Sequence, residues 1–216
     1  VFIRVDHAGY LLRAARSNAD RAASEEVDAS AADAQWSEDA LAYSMAAVAM
    51  AAAYVEATIN EVFERASDEV RWRMQTGDLS MPRRLGERLA VYWSATDGGR
   101  GLNPLVRFDA ALRLAGAPLL DRSRSPYQDV ELLFRLRNWI MHNKSEFYVV
   151  GTGTPSNWET ALSGRFTLPA PMSSEGRLMP LNAFGSACAH WACEHAEAFV
   201  GEFEEAFSKR GADWTP

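Results

Sequence analysis

The sequence predicts an all-α fold: a helical bundle with one small β-hairpin insertion and a long C-terminal helix. Three observations carry this. Met45, Val48, Ala52, Val55, Ile59 and Val62 recur at alternating spacings of three and four, the period of a helix that buries one face. Ser, Pro and Gly punctuate the chain where helices start and stop. The two runs with strand composition, 147–150 and 165–169, are short and together make no more than a hairpin.

The elements follow in order. Residues 8–25 read as a first helix, with Leu11, Leu12, Ala15 and Ala22 as a weak apolar stripe, and 26–36 as a small, acidic linker. Ser37 offers an N-cap, with Glu38 and Asp39 in the first turn, where negative charge is favoured. The helix after it reaches about Ala66. Beside its apolar stripe, Ala49, Ala53, Glu56 and Asn60 form a small-and-polar one.

Residues 76–80 are a break. Pro82 opens a helix carrying Leu85, Leu89 and Trp93, and 96–104, rich in Gly, is a loop. A short helix covers 105–115 and is ended by Gly116 and Pro118. Ser125, Pro126 and Gln128 form a helix start as cap, N1 proline and N3 glutamine, and that helix runs to about Lys144. The hairpin strands enclose a Gly/Thr/Ser-rich excursion, 170–182 is a loop, and a last helix runs from Ala183 to Arg210. In that helix Phe199, Phe203 and Phe207 drift around the surface, which predicts burial on more than one side.

The organisation expected is an N-terminal helix and linker (1–36), a helical core (37–146), a hairpin and loop insertion (147–182) and a C-terminal helix packed on the core (183–216). Of the 216 residues, 48% are hydrophobic and 24% charged, which supplies a real core and excludes a disordered chain.

The net charge of -7 argues against indiscriminate coating of nucleic acid. The charge is uneven, however. Residues 1–69 carry a net -8 and residues 71–137 a net +5, so a basic middle could meet a phosphate backbone. A solvated surface would look the same.

Cys188 and Cys193 lie five apart in a helix and point to different faces. Without a disulfide framework nothing argues for secretion, and Asp6, His7 and Arg13 interrupt any early apolar run of a leader. The apolar stretch 40–55 is mostly alanine, holds Ser44 and ends at Glu56, as a buried helix does and a membrane span does not. These readings place the chain in the cytoplasm, off the membrane.

One segment carries chemistry. Arg137, Asn138 and His142 stand late in the 127–144 helix, with four residues between Arg and His and Asn directly after the Arg. Arg135, seven positions before His142, shares its face and competes with Arg137 for the same role. On an ideal helix Arg137 falls in the apolar stripe of Val130, Phe134 and Met141, where a charge must be paired or line a cavity. His142 and Asn138 lie to the polar side, near Glu131 and Arg135.

With the Ala-rich helix 46–64, which ends in a polar Glu/Asn patch, this Arg-Asn-x-x-x-His arrangement resembles the HEPN superfamily over residues 37–146. The resemblance implies a bundle that cuts RNA without a metal or cofactor, usually as a homodimer whose two motifs share a cleft. It implies His142 as general acid or base at the ribose 2′-hydroxyl, Arg137 as the ligand of the scissile phosphate, and Asn138 as an orienting group. It also implies a toxin or defence effector, with a cognate antitoxin or other partner protein.

Glu56 and Asn60, one turn apart, are expected to face the motif helix, Glu56 pairing Arg137. A solvent-facing polar stripe is the ordinary alternative. A non-catalytic helical module that binds a protein, a nucleotide or RNA is the competing reading of the whole chain.

Two other patterns are set aside. Cys188, His190, Cys193 and His195 fall on two faces of one helix, so four ligands cannot converge on a tetrahedral ion. Cys188, Trp191, His195 and Phe199 read instead as a core stripe. Gly98-Gly99-Arg100-Gly101 lacks the Lys-Ser/Thr ending of a phosphate loop and reads as a flexible connection.

Overall fold

A computed structural model describes residues 7–31, 37–76, 81–142, 157–167 and 181–212. The elements are α1 (His7–Ala31), α2 (Glu38–Thr76), α3 (Arg83–Ala95), α4 (Pro104–Ala115), α5 (Tyr127–His142), α6 (Asn157–Leu162), a 3-10 turn (Leu181–Ala183) and α7 (Ser186–Ala212). The all-α class holds, with no strand among the described residues. The first expected strand, 147–150, lies outside them. In the second, Arg165 and Phe166 sit in a turn and bend after α6. Gly164 ends α6 there with a positive φ, and Arg165 folds back to donate from Nε to the Ala161 carbonyl at 2.9 Å.

Several helix ends obey local rules. Ser37 caps α2: its Oγ accepts from the Ala40 N–H at 3.1 Å and its carbonyl from the Leu41 N–H at 3.2 Å. The Asn103 side chain caps α4, accepting from Leu105 N–H at 2.9 Å, with Pro104 at the first turn. Gly116 closes α4 in the left-handed region, and the Ala117 N–H returns to the Leu112 carbonyl at 2.9 Å.

Others differ from expectation. α1 continues through 26–31, where Glu26 accepts from Ser186 at the start of α7. α2 runs ten residues past Ala66. Pro126 follows a cis bond and precedes α5 instead of occupying its first position.

The chain divides into two compact units, one of residues 1–54 and 128–196, the other of 55–127 and 197–216. The boundaries fall inside α2 and α7 and at the start of α5. The first unit is packed with small side chains. Ala8, Ala15, Ala19 and Ala22 of α1, Ala40, Ser44, Ala47, Val48, Ala51 and Ala52 of α2, and Cys188, Ala189, Ala192 and Ala196 of α7 are all buried. Such residues let helix axes approach closely, because contact distance is set by the side chains between them. The expected α2 stripe holds at Val48, Ala52, Val55 and Ile59, all fully buried, and the buried face also takes in Ser44, Ala47 and Ala51, whereas Met45 and Val62 are half-buried. Ser44 Oγ is buried and donates to the Gly185 carbonyl at 2.8 Å, and the Glu26 carboxylate receives the Ser186 N–H at 2.7 Å and its hydroxyl at the start of α7. α5 contributes the large apolar groups Val130, Leu133 and Leu136.

The second unit is packed with rings. Phe108 meets Phe199 and Phe203 edge-on at 4.9 and 4.7 Å, and Phe63 stacks on Trp93 at 5.2 Å. The drift of aromatics along the last helix is thus explained for Phe199 and Phe203, both buried, with Phe207 stacked on Phe203 at 5.3 Å.

By length and composition, residues 38–71 of α2 could cross a membrane. Within that stretch Ala47, Val48, Ala51, Ala52, Val55 and Ile59 are fully buried.

These two cores respond differently to substitution. Ala51→Leu overfills a tight helix contact and lowers stability by about 1–3 kcal/mol. Phe108→Ala opens a cavity and costs about 3–5 kcal/mol. Val27→Ala, at a position 68% exposed, stays within about 0.5 kcal/mol. Urea unfolding of the three variants against the wild type measures all of this.

Candidate functional site

α5 is anchored at its N-terminal end and open at its C-terminal end. Asp129, in its first turn, is 2% exposed. Its carboxylate forms an ion pair with Arg165, and His195 Nε2 of α7 lies 3.6 Å from its other oxygen. Burial holds the His195 pKa below its ordinary value; Glu194 opposes that shift and Arg165 reinforces it. The Trp191 ring meets the His195 imidazole edge-on at 5.5 Å, and Phe166 lies against Trp191 at 5.4 Å.

Along α5 the fully buried apolar face comprises Val130, Leu132, Leu133, Phe134 and Leu136. Beyond it half-buried Trp139 stacks on Phe184 at 5.7 Å, while Met141 is 63% exposed and so falls outside the expected stripe. Arg137 is accordingly half-buried and not pressed into an apolar interior. Its guanidinium lies over the Phe134 ring at 5.7 Å, and Nη1 donates to Asn138 Oδ1 at 3.0 Å. Asn138 and His142 are exposed on successive turns, and His142 sits in the last turn, where the helix dipole favours a cation. Arg135 is exposed too, with its guanidinium over the Trp158 ring of α6 at 5.0 Å. The structure thus brings Arg135, Arg137, Asn138 and His142 to one accessible helix end, and separates the two arginines by what each stacks on.

Glu56 and Asn60 do point to a guanidinium, and it is that of Arg107 in α4, whereas the sequence assigned Glu56 to Arg137. Arg107 Nη2 donates to Glu56 Oε1 at 2.6 Å and Nη1 to Asn60 Oδ1. Arg107 is 4% exposed, so the charge is paired where it is buried. Gly99 is required above it: a Cβ there would stand 2.8 Å from Arg107 Cδ and from the Trp93 ring, at a φ of +70°. The loop read as a flexible connection is thus a fitted cover.

Sequence reasoning missed two separate buried charge clusters: Arg107 with Glu56 and Asn60, and Asp129 with Arg165 and His195. For Arg107 and Asp109 a signal existed: they are charges embedded in the short apolar helix 104–115, with Arg122 pairing Asp109 from the following turn. The Cys/His pattern does not divide into the expected pairs, Cys188 with His195 and His190 with Cys193, because both cysteines are buried while both histidines keep solvent contact. Cys188 and Cys193 are buried free thiols, burial pushing the Cys188 thiol up, while His190 lies 4.0 Å from Asp20 and His195 by Asp129. In the turn before α5, the Asp121 carboxylate accepts from Ser123 Oγ at 2.6 Å and its N–H at 2.8 Å, which lowers its pKa.

A second surface feature belongs to α3. An open apolar groove of about 590 Å3 lies between Arg84, Arg88, Val91, Ala95 and Leu114, with Val91 69% exposed.

Glu56→Ala leaves the Arg107 charge buried without its carboxylate and costs about 3–5 kcal/mol in urea unfolding. Stability also depends on pH through His195. Its folded pKa is depressed below the ordinary 6.5, so below that pH the unfolded chain binds more protons than the folded one. Its contribution is complete above about pH 6.5 and is lost as pH falls towards the depressed folded value. Thermal melts from neutral to mildly acidic pH should show a falling Tm, and His195→Gln should flatten that fall.

No protein-family model, curated protein or solved structure matches this chain.

Proposed function

We propose that this protein is a metal-independent endoribonuclease of HEPN type whose reacting groups stand at the open end of α5. The observation that supports this most directly is the bond from Arg137 Nη1 to Asn138 Oδ1 at 3.0 Å, beside an exposed His142 one turn on. The bond sets the plane of the guanidinium fork at a place that a polynucleotide can reach.

In this reading His142 takes the proton of the ribose 2′-hydroxyl or delivers one to the leaving oxygen, a task suited to imidazole near neutral pH. Arg137 holds the scissile phosphate and stabilises the charge that grows on its oxygens. Asn138 orients Arg137. The 2′-oxygen bonds to phosphorus as the bond to the 5′-oxygen breaks, leaving a 2′,3′-cyclic phosphate and a 5′-hydroxyl. DNA has no 2′-hydroxyl and survives.

Glu56 and Asn60 serve α4 through Arg107 and take no part in the chemistry. A cytoplasmic homodimer with two α5 ends in one cleft belongs to the same reading, as does a toxin or defence role held in check by a partner protein. Exposed Met141, beside His142, offers apolar surface for such a contact. The groove on α3 favours a second reading, a helical module that docks a protein partner there.

RNA incubated with the protein in EDTA tests the proposal. Wild type should cleave and leave cyclic-phosphate ends. His142→Ala should lose about 10²–10⁴-fold in rate and Arg137→Ala about 10²–10³-fold, both remaining helical by circular dichroism. Loss in His142→Ala but not in Arg137→Ala moves the phosphate contact to Arg135. Equal cleavage by all three, or none by the wild type, sinks the site and leaves the binding module.

A further inference from the structure

Trp158 is a half-buried indole that α6 does not need as an anchor. α6 is only six residues long, yet it is held elsewhere. Leu162 is 1% exposed, and in the turn just past it Arg165 bonds back to Ala161 and pairs with buried Asp129. Phe166 then packs on Trp191. Trp158 instead keeps part of its surface at solvent and carries the exposed guanidinium of Arg135 at 5.0 Å from its ring.

Arg135 and His142 are seven residues apart, hence on one face of α5, and about 10 Å apart along its axis. Asn138 lies between them on the exposed side. The carboxylate on this face, Glu131, stands one turn before Arg135, on the side away from His142. From Arg135 to His142 the face therefore offers cationic and hydrogen-bonding groups, with the partly exposed Trp158 indole beside Arg135.

A planar guanidinium and an indole together form what an unpaired nucleobase stacks on: base–aromatic stacking tolerates any base, and arginine adds a cation–π contribution. Bases in a duplex are already stacked and paired, so only a splayed base can enter. We propose that Arg135 and Trp158 form a nucleobase-stacking subsite that makes unpaired RNA the substrate of the α5 site. The inference rests on the ribonuclease reading for its ligand, and it gives Arg135 and Arg137 separate tasks. Arg137 holds the scissile phosphate, and Arg135 with Trp158 takes the base of a nearby nucleotide. Trp158 is thus a binding residue, not a catalytic one.

Binding is measured in a His142→Ala background, by fluorescence anisotropy, so that cleavage does not enter. The probes are a short unstructured RNA, the same oligomer made abasic with its phosphates kept, and the fully paired duplex. The reference protein should prefer the base-bearing single strand to both others by about tenfold or more, the scale of one stacked base. Adding Trp158→Leu, which keeps an apolar side chain and removes the ring, should abolish that preference. Trp158→Phe should retain most of it.

Equal binding of the abasic and base-bearing strands by the reference protein overturns the inference without recourse to any Trp158 variant. A preference that survives Trp158→Leu overturns it as well, and so does a preference for the duplex. The two readings fail separately. A wild type that cuts no RNA removes the catalytic proposal, while the stacking preference stands or falls on these affinities alone.

Discussion

Everything proposed for the end of α5 depends on how its beginning is held, and one buried carboxylate holds it. Asp129 is 2% exposed and lies between Arg165 and His195, so α5, the turn after α6 and α7 meet at a single charge. Removing a carboxylate from water costs several kcal/mol. That cost is tolerable only while the guanidinium stays in place, which ties the turn after α6 to a defined position. Trp158, seven residues before Arg165, inherits that position. Burial likewise disfavours a second cation beside Arg165 and holds the His195 pKa down, and the imidazole meets the Trp191 ring edge-on.

The other unit solves a similar problem with a different core. Its aromatic rings leave the space of α4 well filled, and Arg107 enters that packing because Glu56 and Asn60, one turn apart on α2, present two acceptors to two guanidinium nitrogens. Gly99 lies over the arginine stem with no room for a side chain. The polar stripe on α2 thus has a structural use.

How much of this is legible in the sequence follows from the range of each interaction. Helix existence is local, and so are the caps: Ser37, Asn103 and Gly116 act within four residues, and the apolar period of α2 is visible over a few turns. The face of α2 was read slightly wrong because Met45 is more hydrophobic than Ser44 or Ala47, yet close packing selects small residues over oily ones. The C-terminal extension of α1 was missed because a small, acidic run reads as a linker until Glu26 is found capping α7, 160 residues away. In the expected strand at 165–169, the described residues 165–167 follow a turn in which Arg165 pairs with Asp129, 36 residues before it in the chain. At the end of α5, the polar placement of Asn138 and His142 was legible because it follows from the period of one helix, and both are exposed. The assignment of Glu56 to Arg137 chose among 20 arginines on a superfamily likeness, and the local sequence holds nothing to favour Arg107 except its apolar neighbours.

That excess of arginine over lysine, 20 against 2, acquires a physical meaning once the partners are known. Arg107 must donate to two acceptors at once, which a planar fork does and an ammonium does not. Arg122, Arg135 and Arg137 each lay the guanidinium on a ring, of Tyr127, Trp158 and Phe134 respectively, an arrangement that a strongly hydrated lysine gains less from. Genome composition can supply arginine, but it cannot place it on aromatic faces. The same flat, weakly hydrated cation that settles into the interior of this protein is the one best suited to grip a phosphate or cover a base at its surface. In the proposed site the difference between the structural arginine and the binding ones is exposure: Arg107 is 4% exposed, whereas Arg135 on α5 lies at the surface.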